Sequence, residues 1–253
     1  MKFNFINKFV DLQMMRKLFI ILLCLPLFIQ GQSWKDLKKA AEKVNKELIN
    51  KNPFSENEAA KALKETLNKG TKKGVSILSV KDGYFTNPKV KIPFPKNATK
   101  VADKLKKLGL QKQVDEVVLS INRAAEDAAI SAKPIFVNAI KKMSIKDAIG
   151  IVKGNKTAGT DYLNRNTNSA LVNAFKPIIK SSLDKVNATK HWENIMTTYN
   201  KIPFVEKVNP ELETYVTEKA ISGLFFMLAQ QEIAIRENPK ERTSTLLKKV
   251  FGN

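Results

Sequence analysis

Ten consecutive residues, Ala220 to Ala229, contain no charged side chain in a chain that is 27% Asp, Glu, Lys and Arg. A helix through them is apolar all round, and such a helix has to be covered on every side. The run is too short to cross a bilayer, which takes roughly 20 apolar residues, so its cover has to be other protein. Asn209-Pro210 supplies a start signal, a capping residue followed by proline in the first turn. Pro239 sets the other end, so the predicted helix runs from about 210 to 238. Gly223 within the run predicts a close crossing. Glu232 and Arg236 follow at i, i+4, the spacing of a helical ion pair.

A second helix, from about Gln113 to Ala128, is constrained on both faces. Val114, Val117, Val118, Ile121, Ala124, Ala125 and Ala128 form an amphipathic stripe. Gly109 before them suits a left-handed end to the preceding helix. In a surface helix the opposite face would be polar. Instead, at about 100° per residue, Leu119, Arg123, Glu126 and Ile130 line up there. Charge flanked by apolar side chains predicts a helix covered on both sides. Arg123 and Glu126 stand at i, i+3 and can pair. Three readings are open: a solvated surface pair, a structural ion pair buried against another helix, or a polar anchor in a ligand cavity. Asn122, Arg123, Glu126, Glu232 and Arg236 together form the candidate polar site. If the two long helices cross, Glu232 should meet Arg123, or Arg236 should meet Glu126.

The N-terminus predicts export. Met15-Arg16-Lys17 precedes an apolar core from Leu18 to Ile29, interrupted only by Cys24 and Pro26. A short basic start and a short apolar core are the pattern of a secretory signal peptide, here residues 1–31 with Met14 or Met15 as an alternative start. Leu23 stands where a lipobox requires a small residue, which argues against lipidation of Cys24. Cleavage after Gly31 removes the sole cysteine, so the mature chain has no disulfide and no thiol chemistry. It also leaves 40 basic against 23 acidic side chains, a net charge of +17. Such charge can serve nucleic acid or an anionic surface. Against nucleic acid, the mature chain has only four arginines (123, 165, 236 and 242), and its lysines are spread over nearly every helix. The balance favours a lysine-rich solvated surface or weak attraction to an anionic envelope.

The remaining mature chain reads as helices with short connections. Residues 32–54 hold a lysine-rich amphipathic helix, Trp34 to Ile49, closed by Pro53. Ser55-Glu56-Asn57-Glu58 is a capping box, and the helix it opens places Gly70 and Gly74 on its buried stripe, which lets a neighbour come close. Asp82-Gly83 and Asn87-Pro88 are turn signals. Val90, Ile92 and Phe94 alternate, predicting a short extended piece near 89–94, although Pro93 and Pro95 deny it a place inside a sheet. Lys91-Ile92-Pro93-Phe94 recurs as Lys201-Ile202-Pro203-Phe204, but nothing around the two copies matches. Further helices are predicted from Asn97 to Leu108, Ile135 to Lys142, Ser144 to about Val152, Thr160 to about Phe175, Ile178 to Val186 and Thr243 to Phe251, with Pro177 separating the fifth from the fourth. The fold class is therefore all-α: a single multi-helix domain over 55–252 with one short extended segment.

No reaction can be read from the residues. One histidine, His191, cannot build a histidine-rich metal site. There is no G-x-S-x-G motif and no phosphate-binding glycine loop. Glu126 and Asp127 are adjacent and point apart. No residue is assigned as catalytic, cofactor-binding or metal-ligating, and no cofactor is expected.

Several stretches, in order and spacing, resemble a known bacterial family. They are Asp82-Gly83-Tyr84-Phe85, Lys91-Ile92-Pro93-Phe94-Pro95, Asn122-Arg123-Ala124-Ala125-Glu126, Ala132-Lys133-Pro134-Ile135-Phe136, Lys142-Met143-Ser144, Gly223-Leu224-Phe225, Glu232-x-x-x-Arg236-x-x-Pro239 and the terminal Leu246-Leu247-Lys248-Lys249-Val250-Phe251-Gly252. The chain resembles domain-of-unknown-function family 4197 over nearly all of 55–252. The resemblance implies an exported, mainly helical envelope protein and supplies no activity. The expectation is a periplasmic or secreted protein without catalysis or a transmembrane span. It would bind a lipid, another apolar or amphipathic small molecule, or an envelope protein. The alternatives are a hydrolase-type enzyme using Glu126, Arg123 and Glu232, or a basic protein that associates with the envelope surface.

Overall fold

Ser55 and Glu58 form the expected capping box: the Glu58 N–H donates to Ser55 Oγ at 3.2 Å and the Ser55 N–H to Glu58 Oε2 at 2.8 Å. From there α1 runs over Glu56–Leu78. The computed structural model describes residues 38, 39 and 54–252, apart from 96, 97, 108, 110, 202, 205, 206 and 208–210, with the side chains of 104, 105, 190, 191, 194, 195, 198 and 199 also left aside. The predicted signal peptide, most of the predicted first amphipathic helix, the predicted Asn97 cap and Asn209-Pro210 lie outside the described residues. The chain divides into two units at residue 52, and the helical domain is the second, Pro53–Asn253.

After α1 come α2 (Thr99–Lys107), α3 (Gln111–Ala129), α4 (Ala132–Lys142), α5 (Ile145–Val152), α6 (Ala158–Lys185), α7 (Ala188–Asn200), α8 (Leu212–Glu237) and α9 (Thr245–Phe251). No strand occurs among the described residues, and the domain is all-α and compact as expected. Gly109 adopts φ 81° ahead of α3, the left-handed conformation predicted for it. Ser144 and Asp147 form a second capping box at the start of α5.

Two helices organise the core. Helix α6 packs against α3, α4 and α8, and α1 packs against α4, α5, α8 and α9. The buried residues of α6 include Gly159, Leu163, Thr167, Leu171, Phe175, Ile179 and Leu183, one every fourth position. A step of four residues turns the stripe by about 40°, so over six steps it winds through about 240°. Different stretches of α6 therefore face different partners. The predicted break at Pro177 does not occur, and α6 continues through it. Pro177 cannot donate to the Asn173 carbonyl, but both residues lie on the exposed side, where water can serve that carbonyl, while Phe175 and Ile179 are fully buried on the other.

Glycines set the close approaches. A Cβ on Gly74 would stand 3.2 Å from Leu228 Cδ1 and 3.5 Å from Met227 Cβ, so α1 and α8 cross at the small stripe read in the sequence. A Cβ on Gly223 would meet Tyr84 Cε1 at 2.8 Å and Val90 Cβ at 3.3 Å. What comes close there is the connection between α1 and α2, not another helix. The all-round cover expected for 220–229 is thus nearly complete, with Ser222 and Phe226 alone exposed.

Lys249 of α9 donates to Glu58 Oε1 at 2.7 Å, tying the two ends of the domain. That bond, with those from Ser55, lowers the Glu58 carboxyl from its ordinary 4.5 to about 2. A carboxyl lowered by folding stabilises the native state above its unfolded value, and the contribution is lost as pH falls through the folded value. The difference in melting temperature between the native chain and Glu58→Gln should be constant above about pH 4.5 and close as pH approaches about 2. A difference that persists unchanged at pH 2 would assign it to something other than this ionisation.

Candidate functional site

Asn122, Arg123 and Glu126 of α3 all engage one piece of chain, residues 82–92. Asn122 is fully buried, and its amide accepts from the Ile92 N–H and donates to the Ile92 carbonyl, both at 2.8 Å. This is the pairing that a neighbouring strand would provide, supplied instead by a side chain. The segment near 89–94 thus alternates as expected, with Val90 and Ile92 buried and Lys89, Lys91 and Pro93 exposed, yet residues 88–90 form a turn and 91–93 join no sheet. Glu126 Oε1 accepts from the Tyr84 and Phe85 N–H groups at 3.0 and 3.1 Å. Arg123 closes the set, donating to Glu126 Oε2 at 2.6 Å and to Asp82 Oδ1 at 2.7 Å. Asp82 itself has φ 71°, a conformation aspartate tolerates better than most side chains.

The electrostatics follow from burial. Glu126 is 4% exposed and the Arg123 side chain 30%. The bond to Glu126, then that to Asp82, hold the Arg123 guanidinium above its ordinary value. Burial, reinforced by the Glu126 charge, pushes the Tyr84 phenol well up, so it stays a neutral donor. Its hydroxyl donates to the Ala220 carbonyl of α8 at 2.7 Å, and the Tyr215 hydroxyl of α8 donates to the Pro93 carbonyl at 3.0 Å. The connection is bonded to α3 on one side and to α8 on the other. Leu119 and Ile130 remain exposed, at 37% and 56%, so what covers the charged face of α3 is this connection rather than a second helix.

Glu232 and Arg236 build a separate cluster. Glu232 is 2% exposed and accepts from the Gly159 N–H at 3.0 Å and from the Thr160 N–H and hydroxyl, both at 2.8 Å. Arg236 pairs with it at 2.9 Å and donates to the Ile151 and Val152 carbonyls at 3.0 and 3.2 Å. One ion pair thereby caps the N-terminus of α6 with negative charge and the C-terminus of α5 with positive charge, the favourable sense at both ends. Phe251 of α9 lies over the guanidinium at 5.3 Å. The expected meeting of Arg123 with Glu232, or of Arg236 with Glu126, does not occur, because each charge is already satisfied by backbone and by its own neighbour.

The concave surface lies elsewhere. A groove of about 470 Å³ runs between the outward side of residues 89–93 and α8, lined by Lys89, Val90, Lys91, Ile92, Pro93, Tyr215, Lys219, Ser222, Gly223 and Phe226. On α8 the positions 215, 219, 222 and 226 recur at steps of 4, 3 and 4, one face of a helix. The alternation Lys89-Val90-Lys91-Ile92 and that spacing are both visible in the sequence. What is not visible there is that they face each other, which depends on Gly223 and Tyr84 fixing the connection against α8. Among the described residues no group of three or more His, Cys, Asp or Glu is placed to hold a metal ion, and no helix is long and apolar enough to cross a membrane.

A helical domain whose polar motif fastens an irregular connection, and whose groove is made from that connection, is the class that fold and site define. A family model described as "Protein of unknown function (DUF4197)" matches residues 53–252, and the chain belongs to that family. No curated protein and no solved structure matches the chain.

Removing an anchor should cost stability in proportion to the buried backbone it strands. Asn122→Ala leaves the buried Ile92 N–H and carbonyl without partners, and Glu126→Ala leaves the Tyr84 and Phe85 N–H groups without theirs and Arg123 with Asp82 alone. At about 1–3 kcal/mol per stranded group, each should lower the unfolding free energy by about 2–5 kcal/mol in urea titration. Tyr84→Phe, which loses one bond to an already helix-bonded carbonyl, should cost only about 1 kcal/mol. A loss below about 1 kcal/mol for Asn122→Ala would show that the Ile92 pairing is not formed in solution.

Proposed function

We propose that this is an exported protein that acts by binding an amphipathic small molecule in the groove between residues 89–93 and α8. The observation that carries the reading is the groove itself, where Pro93, Tyr215 and Phe226 present apolar surface above the buried Val90, Ile92 and Gly223, with lysine and serine side chains at the edge. Its size falls within the range of small-molecule sites, roughly 300–1,000 Å³, and apolar lining with a few placed polar groups is their usual chemistry. Two further facts support it. Both walls are fastened, through Asn122 and Tyr84, so the site exists before a ligand arrives and little ordering has to accompany binding. Phe226 is exposed on an otherwise buried stretch of α8, and an apolar ring at the mouth of a groove gains by being covered. Export is supported by the basic start and apolar core of residues 15–29, a pattern that directs a protein to the periplasm or out of the cell.

Native mass spectrometry of protein purified from its host should show a bound mass, and backbone amide shifts on adding decyl maltoside should concentrate in residues 89–93 and 215–226. Phe226→Ala should weaken that binding by roughly tenfold, the transfer value of a partly buried aromatic ring. A bare polypeptide mass together with shifts scattered over the surface would overturn the reading.

A further inference from the structure

The groove carries cations and no anions. Of its ten lining residues, three are lysines (Lys89, Lys91 and Lys219) and none is acidic. Among the described residues no carboxylate lies within salt-bridge distance of any of the three, although exposed lysines elsewhere are paired, as Lys180 is with Asp184 and Lys249 with Glu58. Asp82, the acid nearest in sequence to Lys89 and Lys91, is held by Arg123, and Glu218, which precedes Lys219, does not line the groove. Two of the three contact aromatic rings instead: Lys91 Nζ lies 4.2 Å over the Phe85 ring and Lys219 Nζ 5.8 Å over that of Tyr215. A ring face carries no full negative charge, so these contacts leave the ammonium groups without a carboxylate partner. Three like charges around one apolar floor repel one another, and a ligand that brings a negative group among them relieves the repulsion.

We infer that the groove selects a monomeric, single-chain amphiphile with an anionic head, its chain on Pro93, Tyr215 and Phe226 and its head among Lys89, Lys91 and Lys219. The inference rests on the groove being the binding site and adds the sign of the ligand's charge. A dispersed molecule is favoured over a bilayer surface because the apolar part of the site is concave and flanked on both sides, so it admits a chain rather than lying on a plane.

The test uses the mature chain and three probes of equal chain length below their micelle concentrations: decanoate, decyltrimethylammonium and decyl maltoside, each titrated by calorimetry. Decanoate should bind most tightly. The triple variant Lys89→Gln, Lys91→Gln, Lys219→Gln should weaken decanoate by about tenfold or more, the sum of three modest exposed ion contacts, and leave decyl maltoside unchanged. Inorganic phosphate at millimolar concentration should not displace decanoate, since it lacks a chain. All three side chains are exposed, so the variant should keep its melting temperature, which is checked alongside. Equal affinity for all three probes, unaltered in the variant, would overturn the charge selection and leave groove binding standing. Binding of none of them would overturn both. Displacement by phosphate alone would make the site one for small anions. Sedimentation with anionic phospholipid vesicles, without decanoate binding, would make it a membrane-contact surface; either result overturns the inference.

Discussion

A single buried amide holds the irregular connection of this domain in place. Asn122 gives Ile92 both halves of a strand-like pairing, and without it the buried N–H and carbonyl of Ile92 would have no partner. Buried N–H and carbonyl groups have to be paired somewhere. Helices pair their own; residues 82–92 pair part of theirs in turns, as the Val90 and Lys91 N–H groups do with the Asn87 carbonyl, and α3 provides partners for Tyr84, Phe85 and Ile92 from side chains at 122 and 126. The bond from Tyr84 to α8 then fixes the far side, and the groove is what remains between the fastened chain and the helix.

The same economy recurs at the other charged cluster. Glu232 and Arg236 sit one turn apart on α8 and serve the facing ends of α5 and α6, where unsatisfied N–H and carbonyl groups meet. A Cβ on Gly159 would come within 3.0 Å of Glu232 Oε1, so the carboxylate reaches the α6 backbone only because that position has no side chain. Arg242 extends the scheme by donating to the carbonyls of Ile235 and Arg236 at the end of α8. Three of the four arginines outside the N-terminal segment are thus spent on backbone or on fastening a loop. The lysines are left to carry most of the exposed positive charge.

Periodicity makes most of the fold legible, because helices that bury one face announce it in sequence. The two capping boxes, the left-handed Gly109 and the crossing at Gly70 and Gly74 each follow from a local rule. Pro177 misleads because a local rule meets a position where packing overrides it: the stripe of α6 winds, so its two halves look like two helices. The residues of the candidate polar site stand out in the sequence, since charge amid apolar neighbours needs a partner. Their partners are not legible. The pairing of Asn122 with Ile92, thirty positions apart, leaves no spacing signal in either segment, and the same holds for Glu232 with the start of α6. The groove escapes a sequence reading for a related reason: its two walls are each recognisable, but their meeting is a tertiary fact.

Trp192 is buried with its ring 5.3 Å from Phe94, at the end of the fastened connection. The counterpart of Phe94 in the repeated tetrapeptide, Phe204, is fully exposed with φ 63°, so the indole contact belongs to the first copy. The chain has just two tryptophans. The protein therefore carries its own optical gauge: indole emission responds to contact and polarity, and any shift of the groove's loop wall is transmitted to a chromophore that touches it.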